Sequence, residues 1–101
     1  MRTYAVTWLD AQGRLHAGKL ELGPEALELA GNSSRRTIRY DELLEARVGR
    51  GSEERVRGRP ALVLQGKAGE TLYVSSVSGA GEVVEIAELL GRRRQDGRPR
   101  A

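Results

Sequence analysis

The sequence predicts a mainly β domain with one C-terminal α-helix. The expected form is a small barrel or orthogonal sandwich of about seven antiparallel strands, capped by a helix at about residues 79–91. Three observations carry this expectation. Short apolar segments recur between clusters of turn-forming residues. Leu20-Glu21-Leu22 and Leu27-Glu28-Leu29 flank Gly23-Pro24-Glu25, a hairpin pattern with leucines on one face and glutamates on the other. Late in the chain the period changes, with Val83, Ile86, Ala87 and Leu90 at i, i+3, i+4 and i+7.

Thr3 to Leu9 is rich in β-branched and aromatic residues and reads as the first strand. Asp10 to Gly13 has turn chemistry, and Leu15 to Leu22 follows as a strand in which Gly18 marks a bulge or a bend. After Gly23-Pro24-Glu25 comes Ala26 to Ala30, then a turn at Gly31 to Ser34. Thr37 to Tyr40 places Ile38 and Tyr40 on one face. An acidic step, Asp41-Glu42, leads into a strand that starts at Leu43 or Leu44 and ends at Val48, with Leu44, Ala46 and Val48 sharing a face. Gly49 to Pro60 is the longest irregular stretch. Ala61 to Gln65 is continuously apolar, as for a strand covered on both faces. Gly66 to Gly69 turns the chain into Thr71 to Ser75, with Leu72 and Val74 on one side.

The helix that follows keeps Glu82, Glu85 and Glu88 off its apolar stripe. Ser78 is its candidate N-cap and Gly91 its candidate C-cap. Residues 1–91 form a single domain in this reading, and the Arg-rich stretch 92–101 is expected to be disordered.

The formal charge of +3 belongs to that stretch. Arg92, Arg93, Arg94, Arg98 and Arg100 stand there against Asp96, whereas residues 1–91 carry twelve basic and thirteen acidic groups. The absence of cysteine excludes disulfides and thiolate metal sites. No apolar run reaches membrane-spanning length and no leader pattern opens the chain, so a soluble cytoplasmic protein is expected.

Catalysis is poorly supplied. His16 is the single histidine and is expected on a solvent-facing strand position. Asp41 and Glu42 are adjacent, which suits a turn better than an acid and base acting on one substrate. Gly66 to Thr71 lacks the spacing of a phosphate loop and reads as a hairpin turn. Gly79-Ala80-Gly81 reads as an irregular helix start. The expectation is a protein that is not an enzyme and needs no cofactor or metal. The candidate binding residues are basic. Arg47, Arg50, Arg55, Arg57 and Arg59 lie on or beside the long loop, interrupted by Glu53 and Glu54, and Arg92, Arg93 and Arg94 open the C-terminal stretch. Both features suit an anionic lipid or nucleic acid bound weakly and without specificity, since no aromatic residue interleaves for base stacking.

The layout resembles the pleckstrin-homology-like superfold, in particular small bacterial PH and GRAM-like domains. The resemblance rests on Gly18-Lys19-Leu20-Glu21-Leu22, Ala26-Leu27-Glu28-Leu29, Arg36 to Leu43, Ala61-Leu62-Val63-Leu64 and the closing helix. It implies a binding or scaffolding module. The partner would be a protein or peptide, or a second copy of the chain, held at a sheet edge or in the groove beside the helix. In lipid-binding members a loop between the first two strands carries several Lys and Arg. Here Asp10 to Arg14 supplies one base and Gly23 to Glu25 none, so no multi-arginine clamp forms there.

Overall fold

Seven strands form one antiparallel sheet in the order β4-β3-β2-β1-β7-β6-β5, curled into a half-barrel that a C-terminal helix caps. The computed structural model describes residues 2–32 and 34–96, with side chains described through Arg93. The strands are β1 (Arg2–Leu9), β2 (Leu15–Leu22), β3 (Ala26–Gly31), β4 (Arg35–Arg39), β5 (Leu43–Gly49), β6 (Ala61–Gly66) and β7 (Thr71–Ser76). The helix is α1 (Ala80–Asp96), and single 3-10 turns occupy Tyr40–Glu42 and Ser52–Glu54.

The leucine-glutamate hairpin forms as its pattern predicts. Leu20 pairs with Leu29, Glu21 with Glu28 and Leu22 with Leu27. All four leucines are buried, each contributing about 1.5–3 kcal/mol by leaving water. The register sets two glutamates directly opposite each other, an unfavourable pair. Lys19 relieves Glu21 at 2.9 Å and Arg35 relieves Glu28 at 3.5 Å. Gly18 is required where β2 and β3 come together, because a Cβ there would sit 2.0 Å from the Ala30 carbonyl oxygen.

β4 and β5 refine the sequence reading. Ile38 and Tyr40 both face the core, but Tyr40 already belongs to the 3-10 turn, and its hydroxyl donates to the Gly23 carbonyl at 2.7 Å. A bulge between Leu43 and Glu45 shifts the phase of β5. Leu43 is therefore the buried residue and Leu44 is half exposed, contrary to the expected Leu44, Ala46, Val48 face. β6 is covered on both sides as expected, with Ala61, Leu62, Val63 and Leu64 all buried.

Val83, Ile86 and Leu90 of α1 close the core over Leu43, Leu64, Leu72 and Val74. Two expectations about this helix are corrected. Ser76 rather than Ser78 ties its start: the Ser76 hydroxyl accepts from the Ser78 N–H at 3.0 Å and donates to Glu82 at 2.5 Å. Gly91 is not a C-cap, since the helix continues through it to Asp96. Arg92 to Asp96 are thus helical where disorder was expected, and Arg98 and Arg100 lie outside the described residues. Part of the reason is visible at Arg93, whose guanidinium lies 5.6 Å from the Tyr40 ring centroid. Among the described residues, no helix is long and apolar enough to cross a membrane.

Candidate functional site

The long β5–β6 connection is a built structure. Glu54 folds back onto Arg47, which also reaches Glu45 at 3.1 Å. That contact holds the Glu54 carboxyl below its ordinary pKa and raises that of Arg47. The chain then makes a two-residue turn in which Val56 and Arg59 exchange backbone hydrogen bonds, each at 3.0 Å. Arg57 and Gly58 fill it with φ of 53° and 78°, the left-handed conformation that such turns need. Arg55 braces the turn, donating to the carbonyls of Arg50 at 3.3 Å and Gly58 at 3.0 Å. Val56, 1% exposed, anchors the whole segment to the sheet.

The candidate arginines therefore divide. Arg47 and Arg55 spend their guanidinium groups on holding the loop. Arg50, Arg57 and Arg59 make no ion pair or side-chain hydrogen bond among the described residues. Arg57 and Arg59 come together at a cleft of about 280 Å³, floored by Thr7, Val56, Ser75 and Ser76 and edged by the exposed Val77. Arg50 is not part of it. The C-terminal arginines stand apart: Arg92 is exposed, Arg93 covers Tyr40, and the Arg94 side chain lies outside the described residues. The structure does not bring Arg92 or Arg93 into one site with the loop. The serines and Thr7 are cleft residues that sequence reasoning missed. Thr7 and Ser75 are small polar residues within strands, a common enough feature that only the β1–β7 pairing singles them out as neighbours.

A second cavity of about 280 Å³ lies at one end of the half-barrel, between Trp8, Asp10, Arg35, Arg36, Glu70 and Leu72. Its cations are already engaged, Arg36 with Glu70 at 2.8 Å and Arg35 with Glu28. Gly66 makes room for the Glu70 carboxylate, which a Cβ would approach to 2.2 Å. His16 stands near the same end and corrects the solvent-facing expectation. Its register opposite Trp8 turns it inward, where the two rings stack at 5.2 Å. The imidazole Nε2 donates to Asp10 Oδ2 at 2.7 Å, with the His16 side chain 19% exposed. Asp10 Oδ1 accepts from the N–H groups of Gln12 and Arg14, both at 2.9 Å. These bonds, led by that from His16, hold the Asp10 carboxyl below its ordinary pKa. The cluster is a corner brace: Asp10 fixes the β1–β2 turn with one oxygen and His16 with the other.

No protein-family model matches the chain, and no curated protein matches it. Among solved structures it is similar to the C-terminal domain of an unknown protein from Leishmania infantum, with a TM-score of 0.70 and 14% identity. The match covers 92% of this chain and 82% of that one. The likeness is one of fold.

Proposed function

We propose that the chain is a non-enzymatic binding module of the pleckstrin-homology-like type, bacterial and cytoplasmic. In this reading it takes an extended protein or peptide segment along β5. Seven antiparallel strands closed by a C-terminal helix agree with what that resemblance implies. The observation that carries the choice of surface is the open sheet, in which β6 is the one strand paired with β5 among the described residues. Such an edge offers backbone donors and acceptors to an added strand. The opposite edge, β4, carries Arg35, Arg36 and Arg39, each held by a carboxylate, and charge of this kind discourages strand addition. β5 lies against α1, and the two elements carry the half-buried apolar residues Ala46, Val48, Ala87 and Leu89. An added segment would gain apolar contact as well as backbone bonds.

The test is a displayed library of extended peptides selected on the intact chain, followed by amide chemical-shift mapping of the enriched sequences. Shifts concentrated on Leu43–Gly49 and α1 are expected. Enriched peptides that map elsewhere, or a library that yields none, refute the β5 reading. If dilution of the chain alone moves the same amides, a second copy is the occupant.

A further inference from the structure

We infer that the cleft under the Val56–Arg59 turn is a binding site for a tetrahedral oxyanion, a phosphate monoester or inorganic phosphate. Thr7 and Ser75 are directly paired across β1 and β7, so their hydroxyls share the outer face of the sheet. Ser75 is 3% exposed, lines the cleft, and its hydroxyl has no hydrogen-bond partner among the described residues. That hydroxyl opens to the cleft, where a bound oxyanion would accept from it in place of water. The turn brings Arg57 and Arg59 to the same cleft, and neither has a carboxylate partner among the described residues.

Two of the acids nearby are engaged elsewhere, and Glu53 makes no ion pair among the described residues. Glu54 is held by Arg47, and Glu82 takes the Ser76 hydroxyl, which leaves Arg57, Arg59, Thr7 and Ser75 as the donors. Four donors arriving from the turn and from the sheet suit an anion with three or four oxygens. A carboxylate held by one bidentate arginine would leave the other three idle. At roughly 30 Å³ per water, the cleft has space for a group of this size. The turn also holds Arg57 in a left-handed conformation that Asn or Gly adopts more readily. An arginine at so unfavourable a position fits a role for its side chain. The site is independent of the β5 edge, and either can fail without the other.

The experiment is an amide chemical-shift titration of the intact chain with inorganic phosphate, against chloride at equal ionic strength. A second arm uses vesicles of phosphatidylcholine with and without phosphatidic acid, whose head group is a phosphate monoester. Phosphate is expected to shift Val56–Arg59 and Ser75–Val77 saturably, with chloride inert. Arg57→Gln and Arg59→Gln should each weaken binding about tenfold or more. Both keep the Val56 anchor and the Arg55 brace. Arg50→Gln, outside the cleft, should bind as the parent does. Preference for phosphatidic acid vesicles over inorganic phosphate, lost in the same variants, makes a lipid the source of the group. The inference is overturned if neither probe saturates. It is also overturned if Arg50→Gln weakens binding as much as Arg57→Gln, which would mark diffuse charge.

Discussion

Replacing Gly91 by alanine should stabilise the protein, and the sign of the effect tests the path of α1. Gly91 lies inside the helix, five residues before Asp96, and its φ is outside the left-handed region. A Cβ built there meets nothing within 4 Å. Glycine in a helix interior is about 0.8–1.0 kcal/mol less favourable than alanine, because the unfolded chain gives up more freedom. No clash subtracts from that gain. For a domain of this size 1 kcal/mol moves the melting temperature by about 4–8 °C. Thermal unfolding followed by far-ultraviolet circular dichroism should therefore show a rise of that order. Had the helix ended on a left-handed Gly91, alanine would carry the steric cost of that conformation and the melting temperature would fall. A fall refutes the extended helix, and with it the packing of Arg93 on Tyr40.

Gly18→Ala should act in the opposite direction. In an open strand the change gains about 0.5–1 kcal/mol, but here the new methyl meets backbone of β3, and overpacking of that kind costs about 1–3 kcal/mol. Equal or higher stability by denaturant unfolding would show that the two strands are not that close. Asp10 should shape the acid limb of stability. Its folded pKa is depressed, so its contribution is present above the unfolded value, near pH 4, and is lost as pH falls through the folded value. Asp10→Asn is expected to lower the melting temperature at neutral pH and to flatten its decline below about pH 4. Asp41 and Glu54, whose pKa values are also depressed, remain in both proteins. Melting curves of parent and variant that run parallel throughout the acid range refute the role of the His16 and backbone bonds to Asp10.

Much of the fold was legible because it is written in short-range patterns. The pairing of Leu20 with Leu29 follows from two alternating triplets and a proline turn, and the Val83–Leu90 stripe fixes which face of α1 is buried. What could not be read depended on one-residue or long-range effects. The bulge after Leu43 exchanges Leu43 and Leu44 between inside and outside, and nothing local distinguishes the two leucines. The inward turn of His16 follows from its register against Trp8 rather than from its own neighbours. Gly91 ended the helix in the sequence reading because glycine is a common stop signal, while Arg93 on Tyr40 is a contact across more than fifty residues. The loop was recognised as basic, but the division of its arginines into braces and free cations needed the positions of Glu54 and the loop carbonyls.

The place of β1 in the middle of the sheet has a kinetic consequence. Its partner on one side, β2, is the next strand in sequence, but its partner on the other is β7, and Thr7 meets Ser75 across 68 residues of chain. Closing a loop of that length costs about 3–4 kcal/mol in chain entropy beyond a constant term, before any contact rewards it. The β1–β4 meander can therefore form early from local contacts, while docking of β7 on β1 is the late, slow step. The floor of the oxyanion cleft is created by that step. A ligand that needs both strands would bind only the finished molecule and raise its stability by mass action, so retention of phosphate would report completed folding of the domain.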